Sequence, residues 1–244
     1  MRFAPLPKRP EIAKAIAMTG PKNLQNWVNW LSNFPNRYNK DKNPNNHVLQ
    51  LKTQLEKMIM GSRRSSGATV ELIDHANTAQ KSLRVRLVGS SRPNEVLVFG
   101  GHLDSINMQG RDRAPGADDN ASGSANLIEA LRVLLAQPRT ARTLELMLYA
   151  GEESGLLGSA EIAKDYKNRK VNVIGVLQLD MTLFPGNGEF VLGSMTDYVS
   201  AWMREVLVEL NKNYLNIKLV DDSCGYACSD HASWYRQGYP TLMP

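Results

Sequence analysis

The chain has 244 residues, of which 42% are hydrophobic and 22% charged, as in an ordinary folded globular protein. This composition excludes a disordered, collagen-like or coiled-coil protein, and no apolar run approaches the roughly 20 residues that a membrane-spanning helix needs. The net charge of +5 is spread among acidic residues, except at Lys8-Arg9 and Arg63-Arg64, and no nucleic-acid-binding motif accompanies it. We therefore expect neither a nucleic acid nor a membrane as a partner.

The N-terminal part of the chain predicts helices. Helical spacing of apolar residues indicates two short amphipathic helices within Glu11–Leu31, interrupted at Gly20-Pro21. A polar, turn-rich stretch comes next, and a third helix is predicted from His47 to Met60. Because His47 stands at the start of a helix, we interpret it as a surface residue.

Strands dominate after this region and then alternate with helices. The predicted strands are Ala68–Ile73, Ser82–Val88, Glu95–Gly101, Thr143–Ala150, Val173–Leu179 and Glu189–Leu192. The helices predicted between and after them are Ser122–Gln137, Leu156–Asn168 and Asp197–Lys212. This order predicts an α/β fold with a mixed, largely parallel central sheet and helices on both faces.

Potential metal ligands come directly after three of the predicted strands. In chain order they are His102 with Asp104, Glu152 with Glu153, and Asp180. Two more carboxylates, Asp118 and Asp119, precede a helix in the stretch P-G-A-D-D-N-A-S-G. In such sheets ligands bind beyond the carboxyl ends of the strands, so we expect these groups to gather at one edge. Imidazole and carboxylate ligands suit zinc or a similar ion, and the many carboxylates suit two ions bridged by one of them.

The doublet Glu152-Glu153 stands where a buried strand should stop. Neighbouring residues that leave a strand point to different sides, so one carboxylate could hold a metal ion while the other transfers protons. Taken alone, an acidic pair at such a position is more often a solvated turn. The functional interpretation therefore depends on the other residues expected at the same edge.

Five stretches of the sequence resemble the bacterial leucyl aminopeptidases of peptidase family M28, which are co-catalytic zinc metallopeptidases. They are G-G-H-L-D-S (100–105), P-G-A-D-D-N-A-S-G (115–123), Y-A-G-E-E-S-G-L-L-G-S (149–159), L-Q-L-D-M-T (177–182) and C-G-Y-A-C-S-D-H-A-S-W (224–234). The resemblance implies a zinc-exopeptidase, phosphorylase/hydrolase-like fold. It also implies one peptidase domain over 1–244, with N-terminal helices at about 10–60 and a metal-binding α/β core at about 68–244.

Two zinc ions per active site are implied by this resemblance. His102 and Asp180 would bind one ion, Glu153 would bind the other, and Asp119 would bridge them. Asp104 would hydrogen-bond the imidazole of His102 and fix its tautomer.

The implied activity is hydrolysis of the N-terminal peptide bond of a peptide with a free N-terminus. Glu152 would act as the general base, taking a proton from the attacking water and passing it to the leaving amine. Tyr226 could donate a hydrogen bond to the developing oxyanion. The resemblance also implies a cis peptide bond between Asp119 and Asn120.

The substrate pocket implied by the resemblance is apolar and favours a leucine-like or other large N-terminal side chain. Its positions in this sequence are Met181, Met195, Cys224, Tyr226, Cys228 and Met243. No charged residue stands among them, so nothing there favours an acidic or basic side chain.

By their spacing, Cys224 and Cys228 can form a local disulfide or remain free thiols. In the family that this sequence resembles they are bonded, which favours a secreted protein, extracellular or periplasmic. The N-terminus lacks the apolar core of a signal peptide, so either the protein is cytosolic or a leader, with any pro-segment, is absent already; bonded cysteines favour the second alternative. The resemblance gives His231 no metal role, and we expect a monomer.

The family's last zinc ligand is a histidine in a segment beyond Leu242-Met243-Pro244, where this sequence stops. We expect an incomplete C-terminus rather than a naturally shortened protein. Two alternatives stay open, an inactive M28-like binding domain and a one-zinc acyl transferase similar to glutaminyl cyclases. The retention of Glu152 and of four metal ligands argues against the first. A serine hydrolase is excluded because no G-x-S-x-G occurs.

Overall fold

The computed structural model describes residues 5–110, 113–186 and 188–244. Its α-helices are α1 (Pro10–Ala17), α2 (Pro21–Ser32), α3 (Asn46–Met60), α4 (Gly123–Leu135), α5 (Leu157–Asn168), α6 (Ala201–Tyr214) and α7 (His231–Arg236). Its strands are β1 (Ala68–Ile73), β2 (Ser82–Leu87), β3 (Arg92–His102), β4 (Arg142–Tyr149), β5 (Val173–Gln178), β6 (Val191–Met195), β7 (Lys218–Asp222) and β8 (Thr241–Leu242). Within these ranges no helix combines the length and the apolar character needed to cross a bilayer.

Six strands form the central sheet in the order β1-β2-β4-β3-β5-β8. Strands β4, β3, β5 and β8 run parallel, whereas β1 and β2 are antiparallel to each other and β2 is antiparallel to β4. The predicted mixed, largely parallel sheet is therefore confirmed. The antiparallel register pairs Leu83 with Leu148 and Ile73 with Ser82, so the β1–β2 connection lies at the same edge as the carboxyl ends of β3 and β4.

Helices cover both faces of this sheet, as the sequence predicts. Alternate residues of β3 point to opposite faces. Leu97 and Phe99 pack with the core formed by α2, α3 and α4. Val96 and Val98 pack with α5 and with Trp234 of α7 on the other face. Burying each such side chain contributes about 1.5–3 kcal/mol, so the two cores fix the strands whose ends carry the predicted ligands.

The last part of the chain differs from the sequence prediction. Strand β7, helix α7 and strand β8 carry no clear periodic pattern, because they are short and because K-L-V-D-D of β7 is mostly exposed. The predicted strand at Glu189 begins at Val191 and pairs with β7 in a separate two-stranded parallel sheet.

The surface interpretation of His47 is wrong. The residue is only 1% exposed and its ring meets that of Phe34 edge-on, with centroids 6.0 Å apart. The helix predicted from His47 to Met60 is present as α3, but the first turn of a helix lies too early in the apolar pattern to show whether its residues are buried.

Candidate metal centre and active site

Three of the predicted ligands come together at the carboxyl edge of the sheet. His102 ends β3, Asp180 comes just after β5, and Asp119 lies in the turn Ala117–Ser122 before α4. One ligand atom from each side chain lies within 4.8 Å of the other two. His102 is buried, whereas the side chain of Asp119 is 45% exposed, so the cluster is open toward solvent on one side.

The residues of this cluster fit a divalent metal ion. Nε2 of His102 lies 3.0 Å from Oδ1 of Asp119 and 3.4 Å from Oδ1 of Asp180, yet it makes no hydrogen bond. The buried Oδ1 of Asp180 also has no hydrogen-bond partner. Buried polar atoms without partners are costly, and a cation between them would satisfy both. One imidazole with two carboxylates is a donor set that zinc accepts.

The electrostatics of the cluster also favour a bound cation. Burial alone would lower the pKa of His102, but the carboxylates of Asp180, Asp104 and Asp119 outweigh it and raise the pKa well above its ordinary value. The pocket therefore favours a positive charge. A bound cation would supply that charge and leave the imidazole neutral.

Asp104 hydrogen-bonds the imidazole of His102, as expected, but through its backbone carbonyl. Nδ1 of His102 donates to the backbone carbonyl of Asp104 at 3.1 Å, while the carboxylate oxygen Oδ1 lies 3.5 Å away. That carboxylate instead accepts hydrogen bonds from the amides of Glu152 at 3.0 Å and Glu153 at 3.2 Å. The main chain of Asp104 thus fixes the His102 tautomer, and its side chain holds the acidic doublet.

The doublet lies in a short 3₁₀ turn, Glu152–Ser154, rather than on the strand. Gly151 before it has φ +63°, where a Cβ atom would come within 3.0 Å of Asn39 Nδ2. This left-handed residue ends the strand alternation, so the two carboxylates need not point to opposite sides. Oε2 of Glu152 lies 3.9 Å from Nε2 of His102, and its side chain is 12% exposed.

The surroundings of the doublet raise the pKa of both carboxyl groups above the ordinary value for glutamate. Burial, reinforced by Asp230 and Asp180, raises the pKa of Glu152 to about 9 against the opposing effect of His102. Burial and the nearby Asp119 raise the pKa of Glu153 to about 7. A cation at the cluster would lower both values, because it favours the ionised carboxylates.

Arg37 is a buried cation beneath the cluster that the sequence did not reveal. Only 1% of it is exposed, and burial lowers its pKa to about 10. Its guanidinium donates to the carbonyls of Leu103 at 2.9 Å and Gly116 at 3.0 Å, and also to that of Pro115. It therefore ties the end of β3 to the turn that carries Asp119. A single arginine in a polar loop gives no sequence signal of such a role.

The two residues of the doublet Asp118-Asp119 have different contacts. Asp119 joins the cluster, whereas Oδ1 of Asp118 accepts hydrogen bonds from the amides of Leu183 at 2.8 Å and Phe184 at 3.3 Å. The peptide bond between Asp119 and Asn120 is cis, as the resemblance implied. Because its carboxylate accepts from these two amides, Asp118 anchors the segment just beyond Asp180.

An apolar cavity of about 480 Å³ adjoins the cluster, since Asp180 is one of its lining residues. Four predicted pocket residues line it: Met181, Met195, Cys224 and Met243. Tyr226 and Cys228 are not among the lining residues, and Tyr226 is 66% exposed. The sequence did not identify the further apolar lining residues Leu183, Phe184, Phe190 and Leu192, which lie in or beside an irregular segment without periodicity.

The stretch after β7 contributes further polar contacts. Cys224 and Cys228 form a disulfide, which confirms the bonded alternative. Ser229, one residue later, donates from Oγ to Oδ2 of Asp180 at 2.5 Å, and it also accepts from Gln178. His231 donates from Nε2 to the carbonyl of Asp197 at 3.1 Å. It is completely buried and is not one of the clustered ligands, which fits the structural role expected for it.

Several known proteins are similar to this chain in sequence, in fold or in both. Leucine aminopeptidase 1 of Trichophyton equinum is 39% identical in an alignment 241 residues long, which covers 93% of this chain and 64% of that protein. The LapA aminopeptidase of Legionella pneumophila is 26% identical and superposes with a TM-score of 0.88 over 98% of this chain and 64% of its own. A glutaminyl cyclase of an Acidobacteriales bacterium shares the fold at 17% identity, with a TM-score of 0.70 over 100% of this chain and 83% of its own.

The similarity covers most of this chain but only part of its relatives. The chain spans 64% of the length of the leucine aminopeptidase that it matches. The Peptidase family M28 model matches residues 83–244, a range that contains His102, Asp119 and Asp180. With that match over most of its length, this chain belongs to peptidase family M28.

Proposed function

We propose that this protein is a zinc aminopeptidase that removes large apolar residues, such as leucine, from the N-termini of peptides. One observation carries the proposal. A metal-ligand cluster of His102, Asp119 and Asp180 adjoins both a buried carboxylate, Glu152, and an apolar cavity of about 480 Å³. Hydrolysis of an N-terminal peptide bond needs these three parts together: a metal, a base and a side-chain pocket.

His102, Asp119 and Asp180 would hold one zinc ion, and Glu153 with Asp119 would hold a second. When bound, the metal would supply Lewis-acid polarisation of the scissile carbonyl and would acidify a water molecule. Glu153 is not one of the three clustered ligands, but the charge of Asp119 acts on its carboxyl group, and this supports the second position.

Glu152 would move the proton. Its Oε2 lies next to the ligand cluster, but the side chain is not one of the clustered ligands, so it remains free to accept a proton from water. The same carboxyl would then donate this proton to the leaving amine. Its limited exposure keeps bulk solvent away from the transferred proton.

The cavity supports the preference for an apolar N-terminal side chain. Met181, Met195 and Met243 give it flexible, polarisable walls that adapt to aliphatic shapes. Tyr226 would be the oxyanion donor only if its exposed ring turned toward the site, so we rank it below Glu152 as a functional residue.

The proposal is tested by measuring the release of a chromogenic amine from leucyl, alanyl, glutamyl and lysyl amides. We expect the leucyl amide to react fastest, an exhaustive chelator to abolish the reaction, and added zinc to restore it. Metal analysis of the active protein should give two zinc ions per chain. Cyclisation of an N-terminal glutamine without amide hydrolysis would favour an acyl transferase, and zinc binding without any turnover would favour a binding domain.

We further propose that the protein works outside the cytosol. The Cys224–Cys228 bond supports this, because such bonds persist in oxidising compartments. Fractionation of producing cells, with thiol counting on each fraction, tests it. Accumulation of the active protein in the cytosol with both thiols reduced would contradict the proposal.

A further inference from the structure

The connection between β1 and β2, residues 74–81, carries polar side chains to the edge where β4 ends. Gln80, in this connection, and Ser82, at the start of β2, are both completely buried. They lie 71 and 68 residues before the backbone groups that they contact, so only the antiparallel pairing of β2 with β4 brings them there. Buried polar groups must be hydrogen-bonded, and the partners of these two explain their positions.

The partners are amides just before the acidic doublet. The amide of Ala150 donates to Oγ of Ser82 at 2.9 Å, and the amide of Gly151 donates to Oε1 of Gln80 at 3.0 Å. The next two amides, of Glu152 and Glu153, donate to the carboxylate of Asp104. Four successive amides beyond the end of β4 thus bind side chains instead of a neighbouring strand.

Ser82 is itself held by a second pair of residues. Its Oγ lies 2.7 Å from Nε2 of His75, and Nδ1 of His75 lies 3.3 Å from Oε2 of Glu161 in α5. The side chain of His75 has no solvent exposure. Glu161 is fixed in turn by the amides of Ala76 at 2.9 Å and Asn77 at 3.0 Å.

The direction of these hydrogen bonds is set by their donors. Because Ser82 Oγ accepts from the amide of Ala150, its own hydrogen is free to be donated to Nε2 of His75. The carboxylate of Glu161 can only accept, so Nδ1 of His75 carries the ring hydrogen, and Nε2 of the neutral ring accepts from the serine. One orientation of the serine hydroxyl satisfies every group, and this orientation presents a lone pair to Ala150.

A serine, a histidine and a glutamate in this order also resemble a nucleophilic triad. Burial excludes that role, because Ser82 has 0% exposure and no substrate could reach its Oγ. The packing is tight as well, since a Cβ atom on Gly158 would come within 2.9 Å of the same Oγ. The group therefore acts on the backbone that it touches.

We propose that His75 and Ser82 are positioning residues for the turn that carries Glu152 and Glu153: His75 orients the Ser82 hydroxyl, which fixes the amide of Ala150 at the start of that turn. The consequence for turnover rests on the proposed function, because it requires Glu152 to be the base. A displacement of a reacting group by about 1 Å can lower a rate by about 100-fold, so the support of this turn matters for catalysis.

The test uses four variants of the full chain. Ser82→Ala removes the acceptor, His75→Phe removes the ring nitrogens while keeping a ring, and His75→Gln retains an acceptor near the Nε2 position. Val85→Ala is the matched control, because Val85 is a buried residue of the same strand that contacts the core rather than the turn. Hydrogen exchange at the amides of Ala150 and Gly151 is measured by mass spectrometry, together with kcat and KM for a leucyl amide.

We expect Ser82→Ala and His75→Phe to speed exchange at these amides by about 10-fold or more and to lower kcat by about 10-fold with little change in KM. His75→Gln should restore most of both, and Val85→Ala should lower only the unfolding temperature.

Wild-type exchange and kcat in both Ser82→Ala and His75→Phe, with only a lowered unfolding temperature, would overturn the inference. If His75→Phe does not fold, Ser82→Ala decides alone. If the wild type itself hydrolyses no amide, the proposed function fails, and the exchange measurement still decides whether these residues hold the turn.

Discussion

The turn that carries Glu152 and the segment just after Asp180 that lines the apolar cavity both have backbone amides bound by side chains, yet they differ in how far their own side chains are exposed. Side chains from elsewhere in the chain bind each successive amide of the turn, from Ala150 to Glu153. The residues after Asp180 that line the cavity instead expose apolar side chains: Leu183 is 57% exposed, Phe184 72% and Phe190 82%. The backbone of this segment is bound at three successive amides, because Oγ of Ser122 accepts from the amide of Thr182 at 2.8 Å and the carboxylate of Asp118 accepts from the next two.

This difference matches the work proposed for each region. Proton transfer depends on distances of a few tenths of an ångström, so the groups that perform it need a fixed backbone. Recognition of an aliphatic side chain depends mainly on buried apolar area, which exposed apolar side chains can supply in several arrangements. We therefore expect changes in the turn to affect kcat, and changes in the residues that line the cavity to affect the choice of substrate.

The largest effect should come from Glu152→Gln. This change keeps the shape of the side chain but removes its ability to accept a proton, so we expect kcat to fall by about 100-fold or more. The amount of bound zinc should stay unchanged, because Glu152 is not one of the clustered ligands. Steady-state kinetics and metal analysis of the same sample check both statements. Undiminished turnover would remove Glu152 from its proposed role.

A smaller, selective effect should come from Asp118→Ala. Loss of the carboxylate frees the amides of Leu183 and Phe184, so the cavity wall should lose its fixed position. We expect the preference for leucyl over alanyl amides, measured as a ratio of kcat/KM values, to fall by about 10-fold.

Asp118→Asn is the control for this prediction, because it retains one acceptor oxygen and should keep most of the preference. Equal losses of rate for both substrates in Asp118→Ala would instead mean that the change disturbs Asp119. The contrast between the turn and the wall would then no longer hold at this position.

The remaining prediction concerns stability beneath the turn rather than turnover. His47 lies against Gln80 Nε2 at 3.5 Å, and burial lowers its pKa to about 3, with the charge of Arg37 adding to the effect. The unfolded chain binds this proton below about pH 6.5, so native stability is complete above that pH and falls as the pH decreases toward 3.

The contribution of His47 should approach about 1.4 kcal/mol per pH unit over this window. Denaturant unfolding of the wild type and of His47→Gln between pH 4 and 7 measures it. The variant should show a shallower decline on the acid side, whatever its stability at neutral pH. Equal slopes in the two proteins would show that His47 does not take up the proton on unfolding.

The sequence by itself determined the α/β order, the positions of most helices and strands, and the edge at which the ligands gather. Parallel strands place their carboxyl ends together, so His102 and Asp180 had to meet once β3 and β5 were parallel. The periodic segments were long enough to predict because each buries one face or both. Short or exposed elements such as β7 and α7 gave no such pattern.

Only the tertiary structure decided what supports the chemistry. Ser82, Gln80 and Arg37 contact the carboxyl edge of the sheet from segments that are far away in sequence. A single polar residue belongs to no periodic pattern, so the sequence does not indicate which group it will contact. The alternation expected for Glu152 and Glu153 also ended at Gly151, because a left-handed residue replaced the strand by a turn. Hydrophobic burial fixes the frame locally enough to be predicted from sequence, whereas each long-range hydrogen bond depends on the completed fold.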